Sequence, residues 1–265
     1  MKTKINMVGG GFQHDICSSS GSVPKHVEWD KQGTANISIH IDHAIMQPVD
    51  KTKRNFAWVA ESSAVIIPVI EWLKANIEYI EQTYELLFTH DARIASLSPK
   101  FKMVLANAVP WVKNRGMYDK TKLVSMIASS KNFCQGHNFR QTILAKYKGK
   151  IDCFGSGWNY IEKKEQGLND YCFSIAMEND NYDNIFTEKI TDCFVTGTIP
   201  IFWGSPTIGN YFNIDGIIPF TPDLKIEDLT LDLYESKVLS IEENFNIAID
   251  IPIAEDYIYL KYIAE

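Results

Sequence analysis

The chain has 265 residues, a formal net charge of −7, 45% hydrophobic residues and 22% charged residues. This composition is ordinary for a globular protein, and a chain of this length can bury a core without disulfide bonds or metals. The acidic balance argues against a general nucleic-acid binder, which needs a basic face, so we expect no nucleic-acid partner, although a local basic pocket for phosphate remains compatible with it.

In the amino-terminal half, short strands are predicted around one long helix. The apolar segments typical of strands cover residues 5–8, 36–41, 56–59 and 86–88. Residues 12–34 are polar and rich in Ser and Gly, so we expect a loop there. Apolar side chains at i, i+3 and i+4 spacing predict a helix over residues 66–84, in which Pro68 fits only the first turn. Residues 89–116 are mixed and end in a connector.

The carboxy-terminal half alternates strands and helices more regularly. Strands are predicted over residues 123–128, 151–154, 172–177 and 199–203, and helices over residues 138–147, 187–196, 232–248 and 253–262. Strands alternating with helices of about ten residues predict a parallel sheet with right-handed crossovers. We therefore expect two domains, 1–115 and 116–265, and leave open that the last helix packs back on the first domain.

The cysteines and the hydropathy indicate the compartment. The five cysteines are odd in number and form no CxxC pair, so buried free thiols in a reducing compartment are expected. The amino-terminal apolar run is too short for a signal peptide, and no run approaches the ~18 apolar residues of a membrane span. We expect a cytoplasmic protein, with peripheral membrane contact left open.

Polar residues cluster where one predicted strand ends and the next helix begins. Glu178 and Asn179 follow the strand, and ligands of open parallel sheets sit beyond such strand ends. At the helix start, the Thr187 hydroxyl is expected to cap and Glu188 suits the positive end of the dipole. Lys189 does not suit it unless an anion lies nearby, which predicts a phosphate site. The alternative is an ordinary capped helix with solvated Glu and Lys side chains.

Three other side chains fit the same hypothesis. Arg140 lies early in the preceding helix, and an arginine fork can bind a diphosphate through two hydrogen bonds. The Glu188 carboxylate can accept hydrogen bonds from the two hydroxyls of a ribose, and the Asn179 amide can bond phosphate or sugar. An ordinary surface arginine is the alternative for Arg140.

A series of motifs runs in order through residues 122–220. It comprises Ser129-Ser130, Arg140, Leu144, Asp152-Cys153-Phe154-Gly155, Phe173 to Asn179, Thr187-Glu188-Lys189, Gly197 to Ile201 and Gly204 to Pro206. Together these segments resemble the donor-binding domain of the α-1,3/1,4-fucosyltransferases, glycosyltransferase family 10. The loop between Asn179 and Thr187 departs from the family pattern.

The resemblance implies a fold, a donor and a reaction. The fold would be α/β of the GT-B type, with two Rossmann-like domains facing each other across a cleft. Arg140 and Lys189 would hold the diphosphate of GDP-fucose, Glu188 the ribose and Asn179 the phosphate–sugar end, beside Thr187. The reaction would be an inverting transfer of fucose to a hydroxyl of a glycan acceptor. No metal or other cofactor is expected, because Arg and Lys can stabilise the leaving diphosphate.

The candidate catalytic base lies in the first half. The segment Phe56 to Ser63 resembles the Trp…Glu-Ser-Pro segment of the same family, with Ser63 in place of proline. The resemblance implies that Glu61 takes the proton of the acceptor hydroxyl. The alternative is that Glu61 only precedes the helix, where an acid is favourable. Residues 88–94 faintly resemble a further family run, and we take no role from them.

Other readings remain open at this point. Six residues are of types that bind metal ions, but their spacing matches no standard site, so we expect no metal. They are His14, Asp15, Cys17, His40, Asp42 and His43. His40 or Asp42 can instead line an acceptor site, since they end a strand. The chain could also use another nucleotide sugar, or bind nucleotide sugars or glycans without catalysis.

Overall fold

A computed structural model of the chain describes residues 1–9, residue 12 and residues 17–264. The chain forms two compact units. The first comprises Met1–Asn107, Asp183–Ile185 and Pro252–Glu265, and the second comprises Ala108–Tyr182 and Phe186–Ile251. The domain bounds expected from the sequence, 1–115 and 116–265, differ from the bounds of these units and stay a prediction.

Strands and helices alternate along both units. The strands are β1 (Thr3–Val8), β2 (Val27–Asp30), β3 (Ile37–Ile41), β4 (Arg54–Val59), β5 (Leu87–Thr89), β6 (Phe101–Met103), β7 (Lys122–Ile127), β8 (Asp152–Phe154), β9 (Tyr171–Met177), β10 (Ile199–Trp203) and β11 (Ile218–Pro219). The helices are α1 (Ile67–Ala75), α2 (Ile77–Thr83), α3 (Ala92–Ala95), α4 (Gln135–Lys146), α5 (Glu188–Phe194), α6 (Leu231–Glu235), α7 (Val238–Ile249) and α8 (Ala254–Ile258), which continues as a π-helical turn, Tyr259–Ile263.

The first unit contains a parallel sheet in the order β2-β1-β3-β4-β5-β6. Alternate side chains of its strands enter two separate cores. Ala57 and Val59 pack with α1 and α2, whereas Phe56 and Trp58 pack with α8. The expected loop over residues 12–34 is wrong where it includes β2. That strand has four residues at the sheet edge, too few to show a pattern.

The helix predicted over residues 66–84 is two helices that meet at Asn76. Asn76 has φ −128°, and its side-chain amide donates to the Trp72 carbonyl at 2.7 Å. This local bond competes with the helical backbone and explains the break. Both halves bury the same apolar stripe, at Leu73 and Ile80, so the periodicity alone could not show it. The helix predicted over residues 232–248 is likewise divided, into α6 and α7.

The second unit contains a parallel sheet in the order β11-β10-β9-β7-β8. Its central strand β9 is buried along its whole length, as expected of a parallel strand covered on both faces. In this sheet β7 and β9 are neighbours, and the chain crosses from β7 to β8 on one side of the pair and from β9 to β10 on the other. Such a switch point opens a crevice at the carboxyl ends of the two strands. In the second sheet these ends are Ile127 and Met177.

Among the described residues, no helix has the length and apolar character needed to cross a membrane. All five cysteines are buried free thiols, as the sequence predicted.

Gly155 offers a test of how β8 seats against β7. Its φ is +107°, and a Cβ there would lie 2.3 Å from the Ala128 carbonyl oxygen. Gly149 also has a positive φ, +77°, but a Cβ there would meet nothing within 4 Å. We expect Gly149→Ala to cost about 1 kcal/mol from backbone strain alone. Gly155→Ala should cost about 1–3 kcal/mol beyond that, from steric overlap. Urea unfolding of both variants checks this, and equal losses would contradict it.

Candidate functional site

A buried carboxylate closes the carboxyl end of β9 onto the start of α5. Glu178 is 1% exposed, and its backbone N–H donates to the Trp203 carbonyl at 2.8 Å. Its carboxylate accepts hydrogen bonds from the Thr187 backbone N–H at 2.8 Å and from the Thr187 hydroxyl at 2.9 Å. It also accepts one from Lys189 Nζ at 3.1 Å. Glu178 therefore joins the strand end to the first turn of the helix.

This contact corrects the expected capping of α5. Thr187 is the N-cap residue, but its hydroxyl makes no capping bond to the helix. It donates to Glu178 and accepts from Lys189 Nζ at 2.8 Å, because these charged partners are stronger than a backbone amide. An anion was expected beside Lys189, and the Glu178 carboxylate of the protein itself is one such anion. Glu188 lies in the first turn, as expected from the helix dipole.

Lys164 links Glu188 to a second buried carboxylate. Its Nζ lies 3.2 Å from Glu188 Oε1 and 2.7 Å from Asp192 Oδ2. Asp192 Oδ1 accepts the backbone N–H groups of Trp111 and Val112 at 2.7 and 2.9 Å. Nothing in the sequence indicated a role for Lys164, because it begins a short polar 3-10 helix, Lys164–Gly167, whose position only the tertiary fold determines.

The charges set the ionisation of Glu188. Burial raises the pKa of its carboxyl, but the ammonium groups of Lys164 and Lys189 outweigh burial and lower that pKa to about 2. Glu188 is therefore a carboxylate at every physiological pH. A permanently ionised carboxylate is suited to accepting hydrogen bonds from sugar hydroxyls.

Arg140 and Asn179 lie together at the same strand end. Arg140 is buried, and its Nη2 donates to the Met177 carbonyl at 2.9 Å and to Asn179 Oδ1 at 3.2 Å. The Nε and Nη1 atoms of Arg140 donate to none of the residues that the structure describes. The backbone N–H of Gly136, in the first turn of α4, donates to the Asn179 carbonyl at 3.2 Å. Arg140 thus retains N–H groups for a ligand.

His137 is a further residue that the sequence analysis missed. It is buried one turn before Arg140, and its Nδ1 has no hydrogen-bond partner among the described residues. Burial, followed by the nearby charges of Arg140, Lys131 and Lys189, lowers its pKa to about 4. The imidazole is therefore neutral at physiological pH. Nothing in the sequence indicated a role for it, and the predicted helix began one residue later, at residue 138.

Glu61 belongs to the first unit and follows β4. Its side chain is exposed, and Oε1 accepts the backbone N–H of Ser62 at 2.8 Å. The second unit carries Arg140, Asn179, Thr187, Glu188 and Lys189. The structure thus brings the five predicted donor residues to one sheet edge, whereas the role of Glu61 stays a prediction.

The metal hypothesis gains no support from the described residues. Within residues 1–9, 12 and 17–264, no group of three or more His, Cys, Asp and Glu side chains could hold a metal ion. His40 is buried, with its Nδ1 3.2 Å from the Ala44 carbonyl oxygen. His14 and Asp15 lie outside the described residues.

The segment that carries this sheet edge matches a known protein family. Residues 117–221 match the family model described as glycosyltransferase family 10 (fucosyltransferase), C-terminal. The resemblance to glycosyltransferase family 10 is confirmed. The matched stretch begins before β7 and ends after β11, so it contains the whole second sheet and all five predicted donor residues.

Two curated relatives match shorter stretches of the chain. The Helicobacter pylori alpha-(1,3)-fucosyltransferase FucT is 40% identical over 57 residues, which are 22% of this chain and 12% of that protein. A fucosyltransferase-like protein of Arabidopsis thaliana is 33% identical over 84 residues, which are 29% of this chain and 16% of that protein. The chain therefore spans less than a fifth of either curated relative in these matches.

Solved structures extend the likeness to nearly the whole fold. A crystal structure of alpha1,3-fucosyltransferase matches with a TM-score of 0.55 and 12% identity, covering 99% of this chain and 88% of that one. A structure of alpha1,3-fucosyltransferase with GDP-fucose matches with a TM-score of 0.52 and 13% identity, covering 94% and 82%. At such identity the likeness establishes the fold alone. The expected α/β fold class, GT-B-like with two Rossmann-like domains, is confirmed.

The pair between Glu178 and Lys189 can be tested by a double-mutant cycle. The two side chains are 1% and 26% exposed, so removing either charge leaves the other poorly solvated. We expect Glu178→Gln and Lys189→Met to show a coupling free energy of about 1–3 kcal/mol in urea unfolding. The matched control is the exposed pair of Lys150 and Glu227, also in the second unit, 2.7 Å apart. That pair should show no measurable coupling, and similar coupling in both cycles would contradict the prediction.

Proposed function

We propose that the chain is an inverting glycosyltransferase that transfers fucose from GDP-fucose to a hydroxyl group of a glycan acceptor. The observation that carries the proposal is the buried charged edge of the second sheet, where Arg140 and Lys189 lie beside Glu188 and Asn179. The family match of residues 117–221 supports it. The similar structure of alpha1,3-fucosyltransferase with GDP-fucose supports the choice of donor.

The donor would be held by groups that retain hydrogen-bonding capacity. Arg140 donates through Nη2 to the protein, which leaves Nε and Nη1 for diphosphate oxygens. Lys189 has three N–H donors and uses two of them on Glu178 and Thr187, so one remains for the same diphosphate. The Glu188 carboxylate would accept the ribose hydroxyls, and the Asn179 amide nitrogen would donate at the phosphate–sugar end.

The reaction follows from this assignment. The acceptor oxygen forms a bond to C1 of fucose as the bond between C1 and the phosphate oxygen breaks. Glu61 would take the proton of the acceptor hydroxyl, a general-base role that typically contributes ~10²–10⁴-fold to the rate. GDP leaves with the electron pair, and Arg140 and Lys189 would stabilise its negative charge. This division of work requires neither a metal nor another cofactor.

The setting of the reaction is part of the proposal. Buried free thiols support a cytoplasmic site of action. A glycan acceptor implies a role in glycan biosynthesis, and peripheral membrane contact fits an acceptor carried on a lipid surface.

Binding of GDP tests the donor site directly. We expect Arg140→Met to weaken GDP binding by about 1.5–3 kcal/mol, because charge-assisted hydrogen bonds are lost. Lys146→Met is the matched control, since Lys146 lies on the same helix with an exposed side chain. Isothermal titration calorimetry measures both, at a temperature where each variant is folded. Unchanged GDP affinity in Arg140→Met would reject the donor site, and melting shifts with GDP-fucose, GDP-mannose and UDP-sugars identify the preferred donor.

Turnover tests whether the chain is an enzyme or a binding module. Glu61→Gln should lower kcat by ~10²–10⁴-fold, since the amide cannot accept the proton. GDP-fucose affinity should stay unchanged, because Glu61 lies outside the donor residues of the second unit. Glu71→Gln, an exposed glutamate of α1, serves as the control and should keep wild-type turnover. Donor hydrolysis and transfer to a panel of glycans provide the assays. Full activity in Glu61→Gln would remove Glu61 from the mechanism.

A further inference from the structure

The loop that carries Glu61 lies between two aspartates. The loop, residues 60–63, follows β4, which pairs with β3 on one side and with β5 on the other. Asp42 directly follows β3, and Asp91 lies two residues after β5. Since the strands are parallel, all three carboxyl ends lie at one edge of the first sheet. Both aspartates hydrogen-bond to the loop.

Asp42 holds the first half of the loop through its backbone. Its Oδ1 accepts the N–H of Ala60 at 2.8 Å and the N–H of Glu61 at 3.2 Å. Asp42 reaches these groups from a left-handed backbone conformation, with φ +49°, which costs a non-glycine residue about 1–2 kcal/mol. Burial raises the pKa of its carboxyl to about 6, although the two amides oppose that shift. Asp42 therefore bears both backbone strain and desolvation while it makes this contact.

Asp91 holds the second half of the loop through a side chain. It is 1% exposed, and its Oδ2 accepts the Ser63 hydroxyl at 2.7 Å. Arg93 donates to the same carboxylate through Nη2 at 2.6 Å and through Nε at 2.9 Å. Burial raises the pKa of Asp91, but Arg93 and Ser63 outweigh burial and lower it. Asp91 is thus a fixed carboxylate whose geometry is set by Arg93.

The two contacts leave little freedom to the backbone at Glu61. Hydrogen bonds hold residues 60, 61 and 63, while the Glu61 side chain itself stays exposed. Ser63 stands where the segment that it resembles has proline, which has no hydroxyl to donate. The Asp91 contact is therefore made by a residue in which this chain departs from that segment.

We propose that Asp42 and Asp91 are positioning residues, which fix the backbone of residues 60–63 and thereby the direction of the Glu61 carboxylate. This inference rests on the proposed role of Glu61 as the base. A misplaced reacting group can cost ~10²-fold in rate without any loss of binding, so the effect belongs in kcat. Neither aspartate exchanges a proton with the acceptor in this proposal.

The experiment is a kinetic double-mutant cycle in the full chain. Asp42→Ala should lower kcat by ~10–10²-fold and leave KM for the donor within ~2-fold. In a Glu61→Gln background, Asp42→Ala should cause no further loss, because it acts only through Glu61. Asp42→Asn keeps an oxygen acceptor for the two amides and should stay within ~3-fold of wild-type kcat. Ser63→Ala should lower kcat by ~3–10-fold for the same reason as Asp42→Ala.

Stability is controlled separately from positioning. Gly149→Ala lies in the second unit and lowers stability without touching the loop, so it should keep wild-type kcat below its melting temperature. If Asp42→Ala does not fold, Ser63→Ala provides the test, because that variant keeps Asp42 and its two backbone hydrogen bonds.

Each outcome decides between the proposals. Full turnover in Glu61→Gln would overturn the proposed base and, with it, this inference. Lost turnover in Glu61→Gln with full turnover in Asp42→Ala and Ser63→Ala would overturn the inference alone. Losses that multiply in the double variant, or an Asp42→Asn as inactive as Asp42→Ala, would also overturn it, because Asp42 would then act independently of the loop backbone.

Discussion

The ion pair between Glu178 and Lys189 organises the second unit's sheet edge. A carboxylate that is 1% exposed is costly to desolvate unless it is paired and fully hydrogen-bonded. Glu178 meets this condition with the Thr187 amide, the Thr187 hydroxyl and the Lys189 ammonium. The start of α5 is therefore fixed relative to β9, and Glu188 and Lys189 in that first turn are positioned with it.

From Lys189 the charges continue in alternating sign. Lys189 lies 3.8 Å from Glu188, Glu188 lies 3.2 Å from Lys164, and Lys164 lies 2.7 Å from Asp192. With Arg140 and Glu178, three cations face three carboxylates. The charges of these six groups therefore balance. An anionic ligand would be recognised by oriented, unused N–H groups more than by net attraction, and such preorganised donors lose little on binding.

The sequence was informative where one physical rule dominates. Buried parallel strands appear as continuous apolar runs, so residues 172–177 and 199–203 were located closely. The strand-end rule likewise predicted a ligand site where Asn179 follows one strand and residues 187–189 begin the next helix. The short edge strands β2 and β11 were not predicted, because their four and two residues are too few to show a pattern. The break at Asn76 escaped because a single side-chain hydrogen bond causes it.

Partner choice was the part of the site that the sequence could not supply. Thr187 was placed correctly as the N-cap residue, but the sequence could not show that its hydroxyl would bond Glu178. Lys164 is 24 residues from Glu188 along the chain and reaches it only through the tertiary fold. Residue type and spacing identify which groups can react, whereas the depth of burial and the competition among neighbouring charges decide which groups pair.

The contact between Gly136 and Asn179 influences the position of Arg140 on the same helix. A Cβ at residue 136 would lie 2.5 Å from the Asn179 carbonyl oxygen, so the first turn of α4 rests directly on the chain that leaves β9. Residues four apart share a helix face, so the close approach at Gly136 also brings Arg140 towards Asn179, whose Oδ1 accepts from its Nη2 at 3.2 Å. The absence of a side chain at residue 136 therefore helps to position the arginine, although residue 136 itself has no side chain that could contact a ligand.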